Sequence, residues 1–178
     1  QQIAALKRNN YQYIELRNVD GEKLTAVTPA KAREMAAMLS DNGIAVWSMG
    51  SPIGKMKIDA SWEAHLDDYK RILELSDIFG AKRIRMFSFY LHQGKSREEC
   101  REEVLDKLGR MLQVAKAFGV TLCHENEGEI YGESPEQCLD ILQAFNGELK
   151  AVFDMGNFVL GGYDPYNVGY PMLKDYIK

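Results

Sequence analysis

The chain has 178 residues, 46% of them hydrophobic and 27% charged, and a formal net charge of −4. That is enough apolar material for one well-filled core and excludes a disordered or fibrous chain. The basic residues lie scattered among acidic ones and form no continuous positive surface for a phosphate backbone, which argues against DNA or RNA as a partner.

No run approaches the roughly eighteen apolar residues of a membrane span, and no basic segment followed by an apolar run marks a signal peptide. Cys100, Cys123 and Cys138 lack the spacing of a disulfide framework or a cysteine-rich zinc site. A cytoplasmic setting without membrane association is expected.

The chain opens with Gln, and QQIAALKRN reads as the back end of a helix, so the chain is expected to begin inside an element. YIELRNV at 13–19 is the first strand-like run, and alternation places Tyr13, Glu15 and Arg17 on one face of it. Thr28 and Pro29, a cap and a first-turn proline, open a helix carrying Ala32, Met35, Ala36 and Leu39. Gly43 closes it before the strand IAVWSM at 44–49. Leu66, Tyr69, Ile72, Leu73 and Phe79 mark the next helix, ended by Gly80, and RIRMFSF at 83–89 the third strand. Val104, Leu108, Met111, Leu112 and Ala115 mark another, ended by Gly119, before the strand VTLCHEN at 120–126. The fourth helix starts beyond Ser134 with Pro135 in its first turn, buries Leu139, Leu142 and Phe145, and gives way at Gly147 to KAVFD at 150–154.

The repeated order of strand, polar loop, capped helix, glycine and strand predicts a parallel sheet with helices packed against it, in a single domain over residues 1–178. A doubly wound sheet would normally carry a phosphate-binding glycine turn, and neither GxGxxG nor GxxxxGK[ST] is present. Polar residues recur instead at the strand ends: Arg17 and Asp20, Ser48 and Ser51, Arg85 and Ser88, Glu125 and Asn126, Asp154 and Asn157. Convergence of polar strand ends is how a TIM barrel builds a site, but a complete (β/α)8 barrel takes roughly 250 residues. The expected fold is therefore an incomplete TIM barrel of five to six βα units.

Glu125 ends a buried run and shares its strand face with Thr121 and Cys123, while Leu122 and His124 share the other. Glu125 is expected to point into a site and His124 to pack behind it, although a strand-end carboxylate can also simply meet solvent. Asp154 also closes a buried run and needs a cation, a metal or several donors to stay ionised, or it caps the next turn. Two acidic oxygens from neighbouring strand ends would begin a divalent metal site. Glu15 and Arg17 either neutralise each other, or Arg17 or Arg85 meets ligand oxygens and orients Glu125. Lys55, in GSPIGK, only superficially resembles the end of a phosphate loop; it either approaches a substrate oxygen or is solvated. Trp47, Phe87, Phe89 and Tyr90 form either core or an apolar wall for a sugar face.

The segments YIELR, GSPIGK, RIRMFSFY, LCHENEGEIYGESPEQC and FDMGNFV together resemble the xylose isomerase-like TIM-barrel superfamily, particularly its sugar-phosphate isomerase and epimerase-like members. The resemblance implies one divalent metal, manganese, cobalt, magnesium or zinc, at the C-terminal ends of the strands. It implies Glu125 as a metal ligand and one half of a catalytic acid/base pair, and Asp154 as the next ligand. Arg85 and Lys55 match polar positions at the mouth of the site, and Asn157 stands where many epimerases carry a histidine near the substrate. The remaining ligands, a histidine and a second glutamate, belong in that family to later strands.

The activity implied is isomerisation or epimerisation of a small sugar, keto sugar or polyol derivative through glutamate-mediated proton transfer, in a protein expected to bind carbohydrate and able to pair with another copy. Two alternatives stand beside it: a sugar-binding barrel without turnover, and an abasic-site endonuclease-like phosphodiesterase, which the scarcity of histidine disfavours.

Overall fold

The computed structural model describes residues 1–178. Helix α1 (Gln2–Arg8) leads into strand β1 (Tyr13–Leu16), and a small antiparallel hairpin, β2 (Asn18–Val19) and β3 (Glu22–Lys23), follows. Then come α2 (Pro29–Asp41), β4 (Ala45–Gly50), α3 (Trp62–Phe79), β5 (Arg83–Met86), α4 (Arg97–Ala117), β6 (Thr121–Glu125), α5 (Pro135–Ala144) and β7 (Lys150–Val152). Two short helices, α6 (Met155–Leu160) and α7 (Tyr170–Leu173), complete the chain apart from brief turns.

The helices begin and end where the side chains can satisfy free backbone groups. The Thr28 hydroxyl accepts from Lys31 N at the start of α2, where Pro29 has no N–H to leave unpaired. Ser96 with Glu99 and Ser134 with Gln137 form reciprocal capping boxes at α4 and α5, each cap contributing about 1 kcal/mol. Gly80 closes α3 in the left-handed region at φ +67°, which a side chain would resist.

β1, β4, β5, β6 and β7 form one parallel sheet whose spatial order is the order of the chain. A doubly wound sheet reverses direction at a switch point; continuous addition at one edge is the winding of a barrel. Beyond β7, Ile177 makes a parallel bridge to Ala151 and Lys178 N donates to the Ala151 carbonyl, so a sixth strand position has begun. The fold is an incomplete α/β barrel.

One face of the sheet feeds the core. Ile14, Leu16, Val46, Ile84, Met86, Leu122 and Ala151 pack there with Leu39, Leu73, Leu108 and Leu142 of the helices. The opposite face carries Tyr13, Trp47 and Arg83: the two rings meet edge to face at 5.5 Å, and the Arg83 guanidinium lies 3.8 Å from the Trp47 ring centre. Trp47 is 45% exposed and belongs to this inner barrel wall rather than to the core.

Two strands end three residues earlier than the sequence suggests, and β7 ends two earlier, at Val152. β1 stops at Leu16 after a register irregularity between Ile14 and Glu15, and Asp20 and Gly21 (φ +49° and +81°) turn the chain back as a hairpin. Arg17 therefore lies past the end of the strand, although its stem still reaches Gly50 beside the Glu15 carboxylate. β5 stops at Met86, and residues 87–90 pair with the GSPIGK loop instead: Phe87 N donates to Ile53 O, Phe89 N to Gly54 O and Tyr90 N to Met56 O. Gly54 sits at φ +81°, and a Cβ there would lie 2.1 Å from the Phe87 carbonyl oxygen. That glycine serves a close backbone crossing, not a phosphate.

Candidate functional site

Glu125 is the last residue of β6, on the face shared with Arg85 of the neighbouring β5. Arg85 is 5% exposed, and its guanidinium bridges two acids: Nε is 3.0 Å from Glu125 Oε2 and Nη2 is 3.7 Å from Glu15 Oε1. A guanidinium so far from water persists only with such partners. The Glu125 side chain is itself only 17% exposed. Burial pushes its carboxyl above the ordinary glutamate range, Arg85 pulls it back, and the negative charges of Asp154, Glu15 and Glu127 push it up again.

Asp154 follows β7 and caps α6, its Oδ1 accepting from Asn157 N at 2.9 Å. Asn126, just past β6, clamps the same turn: its amide donates to Asp154 O and its carbonyl accepts from Asp154 N, both at 2.9 Å. The Asn157 amide donates to Asn126 O at 2.8 Å. These bonds stitch the ends of β6 and β7 together and fix Asp154 beside Glu125. The side-chain amide nitrogen of Asn157 is thus engaged with the protein.

Lys55 ion-pairs with Glu127 at 2.5 Å and lies 5.0 Å from the centre of the Phe87 ring, whose other cationic neighbour, Arg85, is 4.9 Å away. Phe87 is buried with both positive charges within 5.0 Å of its ring centre, contacts that its ring quadrupole favours. Arg17, Lys55 and Arg85 line one cavity of about 600 Å³. Gly50, at the end of β4, makes room for it: a Cβ there would meet Arg17 Cγ and Glu15 Oε1, each at 2.6 Å.

His124 faces away, buried, with Nε2 2.9 Å from Ser88 Oγ, which also accepts from Gly132 N at 2.8 Å. Burial lowers the imidazole to about 3, so it is neutral across the physiological range. It is the packing histidine that strand alternation anticipates. Phe89, also buried, packs against His65 rather than lining a sugar wall.

The structure thus brings Arg17, Lys55 and Arg85 to one cavity, links Arg85 to Glu125, and sets Asp154 just past the adjoining strand end, with Asn157 in the first turn of α6 rather than at a strand end. Glu127 and the bridging role of Glu15 escape a sequence reading, because each depends on a partner at least thirty residues away. Asn126 was legible only as a polar strand end. No group of three or more His, Cys, Asp or Glu side chains is close enough to hold a metal ion. No helix is long and apolar enough to cross a membrane.

The fold has relatives. No curated protein matches the sequence, but solved structures match in fold. One is the probable 3-DHS dehydratase AsbF of Bacillus anthracis, involved in petrobactin synthesis, at TM-score 0.81 and 15% identity over 99% of this chain and 64% of that one. A xylose isomerase-like TIM barrel protein from Mycobacterium smegmatis in complex with magnesium matches at TM-score 0.75 and 18% identity over 98% and 62%. The 3-keto-D-glucoside 4-epimerase YcjR of E. coli, in its apo form, matches at TM-score 0.75 and 16% identity over 99% and 70%. The chain spans less than two thirds of the length of the first two, and at these identities the likeness is one of fold. The profile of the xylose isomerase-like TIM barrel family matches residues 3–178, and the chain belongs to that family.

Proposed function

We propose that the protein is a divalent-metal-dependent isomerase or epimerase of a small sugar, keto sugar or polyol derivative, with Glu125 as one half of the acid/base pair that moves the proton. The observation that carries this reading is the state of Glu125: a mostly buried strand-end carboxylate with its proton affinity raised, one oxygen held by Arg85, and a polar cavity beyond that arginine. A base for carbon acids works best when its pKa approaches the working pH, and burial is the usual means. The 4-epimerase among the similar folds is in keeping with this chemistry.

Glu125 and Asp154 fit part of a metal site. Both are hard oxygen donors on adjacent strand ends, their negative charges press on each other, and Asp154 uses only Oδ1 for its cap. A cation held there would polarise the substrate oxygen next to the reacting carbon. The chain's own groups do the rest. Arg85 pairs with Oε2 of Glu125 and leaves Oε1 to accept the proton, while Asn126 and Asn157 keep Asp154 in register with it. In this reading Asn157, with Arg17 and Lys55 at the cavity, contacts the substrate. Delivery of a proton to the same carbon from the opposite side, by the second glutamate of the pair, gives the epimer; delivery to the neighbouring carbon gives the isomer.

The test is exchange of a keto sugar's α proton with deuterium oxide, followed by NMR with magnesium or manganese present. Exchange should require the metal and fall below a few per cent in Glu125→Gln, whose circular dichroism should be unchanged. Undiminished exchange in that variant would remove Glu125 from the mechanism. A sugar-binding barrel without turnover would instead bind the sugar and show no exchange in either form.

A further inference from the structure

We propose that the cavity beside Arg85 takes an anionic group of the substrate, a phosphate ester or a carboxylate, and that Arg17 and Lys23 are the residues that recognise it. The inference rests on the reading of Glu125 given above, because Arg85 joins this cavity to that carboxylate. Four cations line the cavity, Arg17, Lys23, Lys55 and Arg85, against one acid, Asp68. Two of them are already neutralised: Arg85 by Glu125 and Glu15, and Lys55 by Glu127.

Arg17 and Lys23 are the surplus. Arg17 precedes the β2–β3 hairpin and Lys23 is its last residue, and the hairpin's two carboxylates are drawn off by another residue: Lys31 Nζ lies 3.6 Å from Asp20 and 3.0 Å from Glu22. Neither Arg17 nor Lys23 forms an ion pair or a side-chain hydrogen bond within the chain. In a protein of net charge −4, two uncompensated cations at one polar cavity are a local reversal of sign. Arginine and lysine offer donors only, so they suit an all-acceptor group better than a hydroxyl that must also donate. The fold keeps this space open at Gly50, over which the Arg17 stem passes so closely that a methyl group would strike it. Asn18, Thr25 and Gly21 add polar lining, and Leu24 and Phe87 are its hydrophobic members.

The experiment titrates the isotopically labelled protein with inorganic phosphate and, separately, with acetate, and follows the amide proton–nitrogen spectrum at constant ionic strength. At least one anion should give saturable shifts at Gly21, Gly50 and the Arg17 side chain. The double variant Arg17→Gln, Lys23→Gln should weaken that binding roughly tenfold or more, the scale of a lost charge-assisted contact. Both side chains are exposed, so the fold should survive the change. Saturation by phosphate alone identifies a phosphate ester, and by acetate alone a sugar acid. Shifts absent for both anions, or unchanged in the double variant, would overturn the proposal. Because this readout needs neither metal nor turnover, it fails separately from the Glu125 reading: an anion site without proton exchange sinks the catalytic role alone, and exchange of a neutral sugar without an anion site sinks this inference alone.

Discussion

Gly54→Ala should cost far more than its size suggests. The added methyl would sit 2.1 Å from the Phe87 carbonyl oxygen, a backbone atom, so the two segments must part by about 1.3 Å or more to reach ordinary contact. Parting them weakens the bonds from Phe87 N to Ile53 O (2.8 Å) and from Phe89 N to Gly54 O (2.9 Å), each contributing about 1 kcal/mol. The left-handed backbone at φ +81° adds about 1–2 kcal/mol for any residue with a Cβ. The total is about 3–4 kcal/mol, a large share of a domain stability of about 5–15 kcal/mol. Gly43→Ala is the control: its φ is +70° but nothing lies within 4 Å of the new methyl, so it should lose only the backbone contribution. Urea unfolding of both variants, read as a midpoint shift at constant slope, separates the two effects. Equal losses in the two variants would mean that the crossing of the GSPIGK loop over residues 87–90 is not as described, and with it the placement of Lys55 and Phe87.

Arg85→Met leaves Glu125 and Glu15 without their shared cation and should destabilise the fold by about 3 kcal/mol near pH 7.5. The Glu125 carboxyl, already raised by burial, rises further, and a carboxyl raised in the folded state costs stability only while the unfolded chain would be ionised. The deficit should therefore shrink as the pH falls toward the ordinary glutamate range; a deficit independent of pH in denaturant titrations would refute the pairing. Asp154→Asn keeps a good helix cap and should cost less than about 0.5 kcal/mol, whereas Asp154→Ala should cost about 1 kcal/mol. Both should weaken magnesium or manganese binding in calorimetry, and a wild-type affinity in the Asn variant would reduce Asp154 to a cap. Ser88→Ala strips buried partners from His124 and from Gly132 N and should cost about 1–3 kcal/mol in thermal or urea unfolding, with less than about 0.5 kcal/mol implying that water replaces the hydroxyl.

What the sequence made legible is local. Helix starts at Thr28 and Ser134 and helix ends at Gly43, Gly80, Gly119 and Gly147 follow from groups a few residues apart, and each of those glycines adopts positive φ. The VDGE turn was equally local, since Asp-Gly between strand residues is a hairpin signal, yet its first strand, Asn18–Val19, lay hidden at the end of a run, 13–19, that reads as one strand. The site is different in kind. Glu125 meets Arg85 because β5 and β6 are neighbours in a register that pairs Arg85 with Cys123, and no spacing within either strand encodes that pairing. The role of Gly54 in GSPIGK, a segment with only a superficial likeness to the end of a phosphate loop, is not legible because its partner, Phe87, is brought to it only by the completed crossover. The charge on the cavity was hidden for the same reason. Arg17 and Lys23 stand in the sequence beside Asp20 and Glu22, close enough to look neutralised, and only the fold shows that Lys31 has taken both acids to its own side of the hairpin. An excess of positive charge at a site can thus arise from where a distant lysine draws the acids, not from any enrichment in the segment that carries the cations.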